Sequence, residues 1–126
     1  MIISFGWTTP ALLAGQKTVT RRAWAASHAA KFKAGMIIDA WNTSPRNVAK
    51  DPHRVATIRL TQDPTLEYYD AAPPEDWHRE GFEYLEALDL RVAGARPRDF
   101  WASWQRSDEQ CYVVRFEVVE IVSKPT

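Results

Sequence analysis

The chain has 126 residues, 45% of them hydrophobic, which suffices for one domain with a buried core, predicted over residues 1–126. Its apolar runs fall far short of the roughly 18 residues of a membrane span, and no secretory signal is recognisable, so cytoplasmic residence without a membrane is expected. Sixteen lysines and arginines balance sixteen acids in the whole chain. Residues 1–60 nevertheless carry nine basic and two acidic residues, whereas residues 61–126 carry seven basic and fourteen acidic residues. The basic half can attract an anionic ligand, because the field follows the distribution of charge.

The first half of the sequence predicts short strands separated by short helices. Residues 2–5 predict a strand, and residues 9–14 predict a helix that begins beside Pro10 and ends at Gly15. β-branched residues predict a strand over 17–22, and a short helix is predicted over 27–32. Residues 36–41 and 54–61 predict two further strands, joined by a long loop rich in proline, asparagine and aspartate.

The second half predicts more helix and one long strand. Helical apolar spacing runs through residues 73–88, with Gly81 as a break between two segments, and another helix is predicted over 96–106. Residues 111–122 alternate in the manner of a half-buried strand, the longest of the chain. Strands at both ends of the chain with short helices between central strands predict an α+β fold. We expect a mixed barrel-like sheet that includes the first and last strands, with helices at its rim.

Residues 15–22, GQKTVTRR, form the most informative motif. Gly15, Lys17, Thr20 and Arg22, following a short helix, resemble the G-x-K-x-x-T-x-R motif of the ASCH domain family. The resemblance extends by pattern from residue 2 to residue 122. It implies a single ASCH domain of the PUA-like superfamily, a pseudo-barrel that binds RNA or modified bases.

Some small ASCH proteins are N4-acetylcytidine amidohydrolases, in which a lysine, a threonine and a glutamate form the catalytic set. The resemblance assigns Lys17 and Thr20 to the first two roles, and it offers Glu80 for the third, with Glu83 as the alternative. The sequence departs from these enzymes at Arg21, where an aliphatic residue is common, and in its longer middle loop. The resemblance therefore implies RNA or a modified nucleoside as the partner and leaves the substrate itself open.

The residues of this motif are chemically suited to acyl transfer. A threonine hydroxyl attacks an amide only when a base removes its proton, and a lysine can do so when its pKa is depressed. Arg21 and Arg22 near Lys17 would favour the neutral amine, whereas Glu80 would oppose this and orient the amine. Residues three apart on a regular strand face opposite sides, so Lys17 and Thr20 share a site only if the chain turns or bulges between them.

Other basic and aromatic residues are candidates for substrate binding. Arg21 is predicted to contact phosphate, while Arg22 is interpreted chiefly as a partner for an acid of the C-terminal half, although it too is a binding candidate. Trp24 is placed to stack a base, whereas the remaining tryptophans, Trp7 among them, are interpreted as core residues. The long loop is predicted to extend the positive surface through three residues, Arg46, Lys50 and Arg54.

Two other functions would use the same cleft. A non-catalytic RNA-binding module is favoured by the basic half and the basic loop. A metal-independent ribonuclease would use a lysine or histidine to promote attack by an RNA 2′-hydroxyl.

Metal, cofactor and obligate protein partners are not predicted. The three histidines lie 25 residues apart and match no metal-ligand spacing. The single cysteine, Cys111, is interpreted as a structural residue of the last strand. The nine acids between residues 63 and 89 are interpreted as a solvated helical face.

Overall fold

The computed structural model describes residues 1–122, so the predicted single domain extends four residues beyond the described part. Within it the strands are β1 (Ile2–Ser4), β2 (Val19–Arg22), β3 (Ile37–Trp41), β4 (Arg54–Leu60), β5 (Thr65–Tyr68) and β6 (Gln110–Ile121). The helices are α1 (Thr9–Leu13), α2 (Ala26–Ala29), α3 (Asp76–Arg79), α4 (Phe82–Ala87) and α5 (Pro97–Gln105). Single 3-10 turns cover Gly6–Thr8, Val48–Lys50 and Tyr69–Ala71. No helix among residues 1–122 is long and apolar enough to cross a membrane.

The six strands form one strongly curled, half-barrel sheet. Its order is β1-β3-β4-β6-β2, with β5 pairing to the first part of β6. The β1–β3 pair is parallel, and the other pairs are antiparallel. The α+β class and the inclusion of the first and last strands in one sheet are therefore confirmed. The curl leaves β1 and β2 at the two ends of the strand order, without a ladder between them.

The curled sheet encloses one apolar core, and the helices form a second. Ile38, Ile58 and Phe116 are at most 2% exposed and belong to the first cluster, while Phe82 and Leu85 of α4 belong to the second. Full burial of such a side chain contributes roughly 1.5–3 kcal/mol. The second cluster also includes Ala11, so it packs the helical segment 76–105 against α1.

Gly81 sets the angle between α3 and α4. Its φ of +89° is a conformation that favours glycine, and a Cβ at this position would lie 2.5 Å from the Ala11 Cβ. The predicted break at Gly81 is confirmed. The absence of a side chain here lets the α3–α4 corner approach α1 closely, and the Thr18 amide donates to the Arg79 carbonyl at 2.8 Å. The corner thereby brings Glu80 against the segment that carries Lys17.

Candidate functional site

A cavity of about 190 Å³ lies between the end of β1 and strand β2, the two strands that the sheet leaves unpaired with each other. Phe5, directly after β1, and Thr20 of β2 both line it, and the Arg22 guanidinium lies 5.4 Å from the centre of the Phe5 ring. Helices α3 to α5 and their connections supply the opposite wall. We call this space the Lys17 cavity; its lining residues are Phe5, Trp7, Thr8, Lys17, Thr20, Arg21, Arg22, Glu80, Phe82, Val92, Phe100 and Trp104.

Lys17 lies in the irregular segment between α1 and β2 and not on the strand. Helix α1 ends at Leu13, Gly15 adopts a φ of +73°, and the Gln16 amide donates to the Ala11 carbonyl at 2.9 Å. The ladder of β2 begins only at Val19. The strand is thus two residues shorter than the sequence predicts, and this irregular segment lets Lys17 and Thr20 line the same cavity despite their spacing of three.

The Lys17 amine is hydrogen-bonded to the main-chain and side-chain oxygens of Glu80. Its Nζ donates to the Glu80 main-chain carbonyl at 2.8 Å and to Glu80 Oε1 at 3.0 Å. The two residues are 1% and 2% exposed. Burial lowers the pKa of Lys17 below its ordinary value; Glu80 acts in the opposite direction, and Arg22 and Arg21 add to the lowering. The amine is therefore easier to deprotonate than that of a lysine in water.

Thr20 presents a buried hydroxyl to the cavity and is 4% exposed. Its Oγ accepts a hydrogen bond from Arg22 Nε at 3.1 Å. This contact uses a lone pair of the hydroxyl and leaves its own hydrogen available to a base or a ligand. Burial lowers the pKa of the Arg22 guanidinium. The cation nevertheless remains the hydroxyl's neighbour, where it favours any negative charge that develops on Oγ.

Arg21 points into an ion network behind the cavity. Its Nη1 donates to Glu80 Oε2 at 2.7 Å and its Nη2 donates to Asp76, which also accepts from Arg115 Nη1 and Nη2 at 3.1 and 2.9 Å. Although burial acts against it, these carboxylates raise the pKa of Arg21. Burial would raise the pKa of Asp76, but hydrogen bonds from Arg115 and Arg21 outweigh it and hold that pKa below its ordinary value.

In the structure, Arg21 and Arg22 have the opposite surroundings to those predicted from the sequence. The sequence predicts ion pairs with the acidic half for Arg22, but it is Arg21 that makes them. Its buried guanidinium pairs with the carboxylates of Glu80 and Asp76. Arg22 is the one beside Thr20 and Phe5. Alternation along β2 separates the two side chains as expected, but which of them meets α3 depends on how the helices pack. Both residues line the Lys17 cavity.

Asp76 is the site-supporting residue that sequence reasoning missed. It was interpreted with the other acids of residues 63–89 as part of a solvated face, but it is 0% exposed and Glu80 is 2% exposed. The two acids lie four residues apart around α3, so both reach the same side of the helix. An i,i+4 pair of acids opposite a basic strand is the signal that could have identified this network.

Two aromatic predictions differ from the structure, and the structure separates the two candidate glutamates. Trp24 does not line the Lys17 cavity; it stacks on Phe32, with ring centres 4.6 Å apart, and packs against the first core cluster. Trp7 is not a core residue, since it is 58% exposed at the cavity mouth. Glu83 is exposed and bonds to His78 at 2.8 Å, so of the two candidate glutamates it is Glu80 that lies beside Lys17.

The three basic loop residues lie outside the Lys17 cavity. Arg46 is exposed, and Arg54 Nη1 donates to Thr57 Oγ1 at 3.0 Å. Only Lys50 approaches the cavity mouth, with its Nζ 6.0 Å from the centre of the Trp7 ring.

The remaining candidate groups lie away from the cavity. Burial raises the pKa of the Cys111 thiol to about 11, which disfavours the reactive thiolate. The histidines of the described chain are not among the cavity residues, so a ribonuclease reading would rest on Lys17 alone. Across residues 1–122, no group of three or more His, Cys, Asp or Glu residues is arranged to hold a metal ion.

The fold matches that of a solved bacterial protein. The crystal structure of protein EF3133 from Enterococcus faecalis V583, described with the family designation DUF984, aligns over 99% of this chain and 83% of its own, with a TM-score of 0.59 and 18% identity. No protein-family model matches the sequence, and no curated protein matches it significantly. At this identity the similarity shows the fold alone. It supports the predicted fold class, a mixed α+β curled half-barrel with short helices.

Proposed function

We propose that the Lys17 cavity binds an N4-acylated cytidine and hydrolyses its exocyclic amide. The observation that carries this proposal is the buried Lys17 amine, fixed by Glu80 in the wall of a cavity that also exposes the Thr20 hydroxyl. A buried lysine with a lowered pKa is a suitable general base, and a threonine hydroxyl next to a cation is a suitable nucleophile.

In the first half of the reaction, Thr20 Oγ attacks the acyl carbonyl carbon while its proton passes to the neutral Lys17 amine. Glu80 is the positioning residue: its two oxygens fix the direction of Nζ. The C–O bond forms, and the carbonyl oxygen becomes an oxyanion that the neighbouring Arg22 guanidinium can stabilise. When this intermediate collapses, the C–N bond breaks and Lys17 returns the proton to N4, which releases cytidine.

The second half regenerates the enzyme. Water attacks the acyl ester on Thr20, Lys17 accepts the water proton, and the ester bond breaks with return of that proton to Oγ. The acyl group leaves as a carboxylic acid, which ionises in water. No oxidant, metal or cofactor is required for this balance of atoms and charges.

The walls of the cavity support a planar ligand. Five of the twelve lining residues are aromatic, and nucleobases stack readily on such side chains. The volume of about 190 Å³ lies below the ~300–1,000 Å³ of typical ligand sites. It therefore suits a base and its small acyl group rather than a complete oligonucleotide.

The test is hydrolysis of N4-acetylcytidine, with release of cytidine followed by chromatography. Thr20→Val preserves the side-chain shape and removes only the hydroxyl, so we expect kcat to fall at least about 10²-fold with the fold intact. Glu83→Gln, which changes an exposed glutamate outside the cavity, is the control and should keep wild-type turnover. Wild-type kcat in Thr20→Val would exclude threonine as the nucleophile.

A non-catalytic RNA-binding module is the second candidate, because exposed Arg46, Lys50 and Arg54 give the long loop a positive surface. Binding of a short RNA should then weaken steeply with salt, whereas turnover of a neutral nucleoside should depend little on it. Tight, salt-sensitive binding with no acetylcytidine hydrolysis would select this candidate over the hydrolase.

A further inference from the structure

A second and larger cavity adjoins the Lys17 cavity. It has a volume of about 350 Å³ and lies between the turn Gly6–Thr8 and the loop that follows β3. Trp7 lines both spaces, so the two cavities lie on either side of one exposed aromatic side chain. We call the second space the Lys50 cavity.

The Lys50 cavity is equipped for an anion. Of its lining residues within the described chain, Lys50 is the charged one and none is an acid. Thr43 and Asn47 add neutral groups that can donate hydrogen bonds. An ammonium group beside neutral donors attracts a phosphate, and it does so without a carboxylate that would repel the ligand.

The loop backbone that carries Lys50 is fixed by Asn42. Asn42 Nδ2 donates to the Asp51 main-chain carbonyl at 3.1 Å, and Asn42 Oδ1 accepts from the His53 main-chain amide at 2.8 Å. Main-chain bonding between Asn42 and His53 closes the base of the loop at 3.2 Å. Lys50 ends the 3-10 turn within this closed loop, which keeps its side chain on the Trp7 side.

We propose that the Lys50 cavity holds the phosphate attached to the ribose of the nucleoside whose base occupies the Lys17 cavity. The inference rests on the proposed function, and it narrows the substrate class from a free nucleoside to a nucleotide. The Lys17 cavity alone is too small for base, sugar and phosphate, so the sugar must leave it at the mouth, where Trp7 stands. Lys50 is the cation that the emerging phosphate meets there.

The experiment compares kcat/KM for N4-acetylcytidine, its 5′-monophosphate and a short oligoribonucleotide containing it. We expect the monophosphate to be favoured about fivefold over the nucleoside by the wild type, the upper range for an exposed ion pair. Lys50→Met should abolish this preference. Lys31→Met, which removes an exposed lysine outside both cavities, should retain the preference. Raising the salt concentration to 1 M should also reduce it.

The oligonucleotide arm identifies the source of the phosphate. A preference for both phosphorylated substrates supports a site for any phosphate ester, and a preference for the monophosphate alone supports a terminal phosphate. Equal kcat/KM for all three substrates would overturn the inference. An identical preference in wild type and Lys50→Met would do the same.

A binding measurement separates this inference from the hydrolase proposal. Titration calorimetry compares cytidine 5′-monophosphate with cytidine for the wild type, Lys50→Met and Lys31→Met. If no acylated substrate is turned over but the monophosphate still binds about fivefold more tightly through Lys50, the phosphate site stands and the hydrolase proposal fails. If acetylcytidine is turned over and phosphate improves neither binding nor turnover, the hydrolase proposal stands and the phosphate site fails.

Discussion

Replacing Glu80 with glutamine removes the carboxylate shared by two buried cations. Glu80 accepts from Lys17 Nζ at 3.0 Å and from Arg21 Nη1 at 2.7 Å. Removing one partner of a buried ion pair costs about 3–5 kcal/mol. Arg21 keeps Asp76, and Lys17 keeps the main-chain carbonyl of residue 80 at 2.8 Å. We therefore expect the lower end of that range, a loss of about 3 kcal/mol in the free energy of unfolding at pH 7.

Urea unfolding followed by tryptophan fluorescence measures this loss. Glu83→Gln is the matched control, since the same change at an exposed acid that pairs with exposed His78 should alter the free energy of unfolding by less than about 0.5 kcal/mol. Equal losses in Glu80→Gln and Glu83→Gln would refute the account of a buried ion network.

The dependence of this loss on pH tests the cause. Because the pKa of Lys17 is lower in the folded than in the unfolded chain, the folded state binds fewer protons and stability rises as pH increases toward 10.5. Without the Glu80 carboxylate, which raises the pKa of Lys17, that pKa falls further and the amine loses its proton at lower pH. The difference between wild type and Glu80→Gln should therefore shrink between pH 7 and pH 10. A constant difference over that range would show that Lys17 does not carry the effect.

Two more predictions concern the frame around the site. Gly81→Ala should lower the free energy of unfolding by about 1–3 kcal/mol more than Gly94→Ala does. Both glycines have a positive φ, but at Gly81 a Cβ would also lie 2.5 Å from the Ala11 Cβ. Equal urea midpoints for the two variants would contradict this prediction. Asp76, whose pKa is lowered in the folded state, contributes stability that is present above its ordinary value of 3.8 and is lost as pH falls through the folded pKa. In Asp76→Asn the urea midpoint should therefore decrease less between pH 5 and pH 2 than in the wild type. An equal decrease in both proteins would show that other acids cause it.

The sequence was most informative where a local signal and the packed structure agree. Gly81 divides the helical segment because its conformation and its contact with Ala11 both require glycine. The long last strand forms because β2, β4 and β5 all pair with it. Strand β5 itself was not predicted, since Thr65 and Leu66 are exposed and show no burial alternation. Its pairing with β6 alone identifies it, and such non-local pairing leaves no signal in a short window.

Within the site, residue types were predictable and orientations were not. Lys17 belongs to the motif and Glu80 is implied by the family resemblance, whereas the role of Asp76 is visible only in the packing of α3 against β2. Trp24 was expected to face a ligand because it follows the basic strand. The chain leaves β2 after Arg22, however, and the neighbouring α2 segment offers Phe32 as a stacking partner. A turn between elements redirects side chains in a way that residue spacing does not record.

The two charge halves of the chain meet at this site. Lys17 and Arg21 come from the basic half, and Asp76 and Glu80 come from the acidic half, so the contacts that close the half-barrel also fix the amine proposed to act as a base. A substitution in this network changes stability and site geometry together, and lost activity alone would not reveal which change caused it. Thr20 differs, because its hydroxyl bonds to Arg22 and takes no part in those ion pairs. Turnover by Thr20→Val, measured on protein whose urea midpoint is unchanged, therefore reports on the chemistry of the cavity separately from its stability.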